Sequence, residues 1–170
     1  QVAYQRFSGP ANRIEFNREW TTTNGNWVTP NDSLLINAWY HVAVVYDGGL
    51  TTNDPLIYIN GVSQSITESS TPAGTLVSDA AGALMLGEAE DGSQDYDGRL
   101  AYFCYANALW AAADVNRHMY WGVAPGGPST VAVWQPLETD LNNRGTATAN
   151  GTATGTTVVA CPKVIHRRGD

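Results

Sequence analysis

Five carboxylates crowd into twelve residues of this chain, "GEAEDGSQDYDG": Glu88, Glu90, Asp91, Asp95 and Asp97. Hard cations such as Ca²⁺ take oxygen ligands from flexible acidic loops of this kind. The spacing is not that of an EF-hand, so Asp91, Asp95 and Asp97, helped by backbone carbonyls, are the metal candidates, against the plainer reading of an acidic surface turn. Glu88 and Glu90 would share a strand face, about 7 Å apart between Cα atoms, whereas a retaining glycosidase needs two carboxyls about 5 Å apart across a sugar cleft. A second chemical lead is His41 in "NAWYHVAVVYDGG". A third is the set of aromatic rings at Trp20, Trp27, Tyr58 and Tyr96, placed near strand ends or turns, where flat apolar faces could meet a sugar or a protein partner. The competing reading for each ring is core filling. No Gly-x-Ser-x-Gly elbow, phosphate loop or zinc motif occurs.

The elements that must position these residues are short strands. Turn signals recur at Ser8-Gly9-Pro10, Asn24-Gly25, Thr29-Pro30-Asn31-Asp32, Asp47-Gly48-Gly49, Asn60-Gly61, Asp91-Gly92 and Asp97-Gly98. Segments rich in Val, Ile, Tyr, Trp and Thr lie between them, the pattern of an antiparallel sandwich or barrel. In "LIYINGVSQSIT", Asn60-Gly61 supplies the two left-handed residues of a type I′ turn, with Leu56–Ile59 going out and Val62–Thr67 returning. In the His41 segment, Trp39, His41, Ala43 and Val45 share one face and Tyr40, Val42, Val44 and Tyr46 the other. Both faces are apolar, which predicts a central strand covered on both sides and makes His41 scaffold rather than catalyst. Arg99–Asn107 reads the same way. "LWAAADVNRHMYWG" then predicts one short helix, with a Val115–Met119 pair and a stop at Gly122.

Composition bounds the function. The chain has 170 residues, 43% hydrophobic, with six Trp, enough for one domain with a substantial core. Charged residues make up only 15%, and Lys163 is the sole lysine. A net charge of −7 argues against nucleic acid and anionic membrane partners. No apolar run is long enough to cross a bilayer, and no signal peptide is visible. The chain opens on Gln1 rather than Met, as a processed chain, a truncated one or an excised module would. Cys104 and Cys161 are too few for a disulfide scaffold and not at metal spacing. Cys104 reads as a buried thiol, with a bridge to Cys161 as the alternative. Asn31-Asp32-Ser33 and Asn150-Gly151-Thr152 are glycosylation sequons, meaningful only in a secreted eukaryotic chain. The terminal Arg168-Gly169-Asp170 matches an adhesion tripeptide too short to weigh much.

Three segments in order, "NAWYHVAVVYDGG", "LIYINGV" and "LMLGEAEDGSQDYDGRLAYFCYANALWAAADV", resemble the laminin-G-like, concanavalin A-like lectin/glucanase superfamily over roughly Ile14 to Trp121. The resemblance implies a jelly-roll sandwich, and calcium at the sandwich rim in some members. Related glucanases carry Glu-x-Asp-x-x-Glu on one strand, and this sequence has no such run. The tail "VAVWQPLETDLNNRGTATANGTATGTTV" is similar to the extension that follows such domains in phage and prophage-type proteins. The family usually has a further N-terminal strand pair before the point where this chain begins. A removed segment, a neighbouring subunit or the C-terminal extension would have to fill that gap, since an unfilled edge is a pairing hazard.

The sequence therefore predicts an all-β, antiparallel jelly-roll β-sandwich with one short helix. Residues 1–122 form the sandwich, 123–130 a linker and 131–170 a C-terminal β extension packing on the sandwich or on a neighbour, with a hairpin around Asn150-Gly151. The expected function is a non-enzymatic binding or structural module on a virion surface or outside the cell, with protein partners in an assembly, surface glycans or a second copy of itself. The alternative is a lectin-like carbohydrate-binding module, Ca²⁺-dependent or not, and behind it a glycoside hydrolase.

Overall fold

The computed structural model describes residues 3–8, 12–79, 84–87, 96, 98–122, 133–135 and 146. The chain divides into two units, Gln1–Asp95 and Tyr96–Asp170.

The first unit holds two antiparallel sheets. Strands β1 (Ala3–Ser8), β2 (Arg13–Arg18), β3 (Gly25–Val28) and β7 (Thr67–Ser70) pair in the order β1-β2-β3-β7. Strands β4 (Val42–Val45), β5 (Leu56–Ile59) and β6 (Val62–Ser63) pair in the order β4-β5-β6. Alternation decides what each sheet buries. Ile14 and Phe16 of β2, Trp27 of β3, and Ile57 and Ile59 of β5 form one core with Leu34, and Tyr40, Val42, Val44, Tyr46 and Ile66 pack against it. Three rings join the sheets. Phe16 stacks on Trp27 with centroids 5.9 Å apart, and Tyr46 meets Phe16 at 5.4 Å and Trp27 at 5.3 Å.

The β5–β6 hairpin follows the sequence. Asn60 has φ 51° and Gly61 φ 77°, the left-handed pair of a type I′ turn, and Ile59 pairs with Val62 across it. The return strand is shorter than Val62–Thr67, because β6 ends at Ser63 and Thr67 already belongs to β7 in the other sheet. The chain thus crosses between layers at Gln64–Ile66, where the partly buried Ile66 packs on the shared core.

The His41 segment also differs from expectation. Pairing begins only at Val42, and β4 stands at one side of its sheet among the described residues, paired to β5 alone. The Tyr40, Val42, Val44 and Tyr46 face packs on the core, while Trp39 on the other parity is about half exposed. His41 is bound through its backbone. Its N–H donates to Asn60 Oδ1 at 2.9 Å, and its carbonyl accepts from Asn60 N at 2.8 Å.

The second unit contains β8 (Phe103–Tyr105), helix α1 (Ala112–Trp121) and β9 (Val133–Gln135). β8 covers only three residues of the predicted Arg99–Asn107 strand and pairs antiparallel with β9. Tyr102, at φ 55°, breaks the extended backbone just before β8. The covering expected on both faces is incomplete, since Leu100 and Tyr105 are exposed. Helix α1 opens with the Asp114 carboxylate accepting from Ala111 N–H at 3.0 Å, half of a capping box. It closes at Gly122, whose φ of 59° lets its N–H donate to the His118 carbonyl at 2.8 Å. The 123–130 linker, the hairpin around Asn150 and Cys161 lie outside the described residues.

Candidate functional site

The site is built from Ser33 to His41, the connection that carries the chain from one sheet to the other. Its start is anchored. Ser33 Oγ lies 2.8 Å from Thr29 Oγ1, the Leu34 side chain is in the core, and Leu34 N–H donates to the Asn12 carbonyl at 3.0 Å. Its middle is braced by Leu35 N–H donating to the Tyr40 hydroxyl at 3.0 Å, and its end by the two His41–Asn60 bonds. Asn37, at φ 61°, makes the bend; asparagine tolerates that conformation better than most residues.

Held in this frame, Leu35 is 68% exposed, Ile36 79% and Trp39 49%. Each apolar side chain forgoes about 1.5–3 kcal/mol by staying out of a core. Three on one braced loop form a surface that gains by being covered. From Ser33 to Tyr46 there is no acidic or basic side chain other than His41, so covering it strips water from few charges.

The aromatic candidates separate cleanly. Trp20, Trp27 and Tyr58 are buried and have no free face to offer a ligand. Trp27 is core because bulky rings at the centre of two packed layers bury the most surface, and its indole N–H donates to Asp54 Oδ1 at 2.7 Å. Trp20 is held where its backbone N–H donates to Asn24 Oδ1 at 3.1 Å and where it bridges to Leu76. Tyr58 alternates with Ile57 and Ile59 on β5, on the opposite parity, yet is buried too. Tyr96 alone of the four is exposed, its ring lying over Gly98, and burial on that side pushes its phenol up. Trp39, Tyr105, Tyr120 and Trp121, which are not among those candidates, are all exposed. Trp39 had a signal in Asn37, a residue that favours bends two positions before it.

Glu88, Glu90, Asp91, Asp95 and Asp97 fall outside the described residues, so the calcium candidates have no geometry here. No group of three or more His, Cys, Asp or Glu side chains clusters among the described residues. Several described carboxylates are engaged in holding the fold. Glu15 accepts from Asn26 at 2.8 Å, Asp54 from Trp27, Asp79 pairs with Arg18 at 3.2 Å, Asp47 accepts from Gly49 N–H at 2.9 Å, and Asp114 caps α1. Burial pushes the Cys104 thiol up to about 11 and the His118 imidazole below its ordinary value. Cys104 is a free thiol. Among the described residues no helix is long and apolar enough to cross a membrane.

A laminin G family model, described as the concanavalin A-like lectin/glucanases superfamily, matches residues 3–116. Neither curated proteins nor solved structures give a significant match. The matched span covers more than half of the chain and takes in both sheets of the first unit, the site loop and the start of α1. The chain belongs to the concanavalin A-like lectin/glucanase superfamily.

Proposed function

We propose that this chain is a non-enzymatic β-sandwich that works through its surface, as a decoration or adhesion component of a virus particle. The observation that carries the reading is the braced apolar loop, Leu35, Ile36 and Trp39, held out by hydrogen bonds at both ends. An assembly partner gains by covering such a patch, and a fixed loop loses little entropy in doing so. The scarcity of lysine, the similarity of the tail to phage-type extensions and the structural employment of the described carboxylates support it further. The test is to purify particles from the source by density gradient and quantify this chain by mass spectrometry. The reading expects a fixed stoichiometry with the major coat protein, reduced at least tenfold by Trp39→Ala. Recovery of the chain only in particle-free fractions would end it.

Carbohydrate binding is the second reading, supported by the family and by the exposed Tyr96 ring over Gly98. Apolar faces of sugars stack on such rings. A glycan array read with and without chelator tests this and the calcium requirement together. Silence in both conditions removes it.

A further inference from the structure

His41 and Asn60 face one another one step beyond the pair Val42↔Ile59, where the site loop becomes β4. Opposed residues at such a position of an antiparallel ladder exchange two backbone bonds. The first is made, for Asn60 N–H donates to the His41 carbonyl at 2.8 Å. The second is not a backbone bond. His41 N–H donates instead to Asn60 Oδ1 at 2.9 Å. At φ 51° Asn60 is already the first residue of the type I′ turn, which swings its own carbonyl out of the ladder. The carboxamide takes the carbonyl's place.

The turn alone does not ask for this. Gly-Gly and Asp-Gly also serve a type I′ turn. Glycine, however, has no side-chain acceptor, and aspartate would bring a charge to segments that carry no Asp, Glu, Lys or Arg, 33–46 and 55–67. The bond also has reach. It fixes the backbone of His41, the preceding residue is Tyr40, and the Tyr40 hydroxyl accepts from Leu35 N–H at 3.0 Å. Leu35, Ile36 and Trp39 all lie within the span that these two bonds close.

We propose that Asn60 is the positioning residue of the apolar surface formed by Leu35, Ile36 and Trp39. Acting from the β5–β6 turn through His41 and Tyr40, its carboxamide sets the pose in which those three side chains meet a partner. A loop ordered before contact forfeits less entropy on binding, so Asn60 acts on affinity more than on the stability of the fold. The partner belongs to the assembly reading, on which this inference rests. The order of the loop is a property of the free chain and is measured without any partner.

Hydrogen exchange on the full chain compares Asn60→Gly, which keeps the turn and loses the acceptor, with Asn60→Asp, which keeps both. In Asn60→Gly the amides of Leu35 and His41 are expected to accelerate about tenfold more than those of β5, because the loop loosens while the sheet holds. Asn60→Asp is expected to exchange like the wild type, since a carboxylate oxygen also accepts the His41 N–H. Particles purified from the source and stripped of the chain are then offered each variant. Asn60→Gly is expected to occupy them several times less than wild type, and to add nothing to the loss caused by Trp39→Ala, because both act on one surface. Loop exchange in Asn60→Gly that matches the wild type would overturn the proposal. So would an Asn60→Asp that behaves like Asn60→Gly, or an occupancy loss that adds in full to that of Trp39→Ala. A wild-type chain that binds no particles would instead end the assembly reading, with the exchange comparison still deciding the role of Asn60.

Discussion

The Trp27 indole N–H reaches the Asp54 carboxylate at 2.7 Å, tying β3 of one sheet to the chain entering β5 of the other. Trp27 is fully buried and Asp54 is exposed, so the bond runs from core to rim. Asp54→Ala leaves the indole donor buried without its acceptor, and the expected cost is about 1–3 kcal/mol in chemical denaturation. Asp54→Asn, which keeps an acceptor oxygen, should cost less. Trp27→Ala, which empties the centre of the core, should cost about 3–5 kcal/mol.

Gly25 is required by the same tryptophan. A Cβ at Gly25 would meet the ring carbons of Trp27, two residues on along the same strand face, well inside contact distance. Gly25→Ala should therefore expel or tilt the indole and cost about 1–3 kcal/mol. The near-ultraviolet circular dichroism of the rings should change with it. An unchanged spectrum and melting temperature would show that Trp27 does not lie over Gly25.

The hairpin and the helix with its Gly122 stop were legible in the sequence, because Asn-Gly and a terminal glycine are local signals. What was not legible was long-range. Alternation showed two apolar faces on the Trp39–Tyr46 segment but not how much of either is covered, which depends on neighbours. The same limit applied to Trp20, Trp27 and Tyr58, whose position near turns in sequence suggested exposure. The burial of Trp27 follows from two sheets closing on one another. The crossing at Ile66, from β6 of one sheet to β7 of the other, has no turn signal of its own.

Cys104 should behave as a protected thiol. Burial raises it from 9.0 to about 11, so at pH 8 it carries about a hundredfold less thiolate than in the unfolded chain. Alkylation by iodoacetamide, followed by peptide mapping at Cys104, should be tens of times slower in the native protein. The stabilising contribution of the neutral thiol is complete below pH 9 and is lost as the pH rises toward about 11. Native and denatured rates that coincide would contradict this.

His118 carries the opposite sign at the acid end. Burial holds the imidazole below its ordinary 6.5, so the folded state favours the neutral ring. Its contribution is present above pH 6.5 and is lost as the pH falls through the lowered folded value. The Trp110 ring lies 5.6 Å from the imidazole and serves as a reporter. Acid unfolding followed by far-ultraviolet circular dichroism should shift to lower pH in His118→Gln, and Trp110→Phe should change the fluorescence amplitude but not that shift.

Hydrogen exchange on the intact chain bears most directly on the claim that both sheets share one core and so hold the Leu35–Trp39 loop in place. Amides of β3 (Gly25–Val28) and β5 (Leu56–Ile59) should exchange together as one cooperative unit, and Asp54→Ala should accelerate both by a similar factor. Rapid exchange in one sheet while the other stays protected, or acceleration confined to one of them, would contradict it.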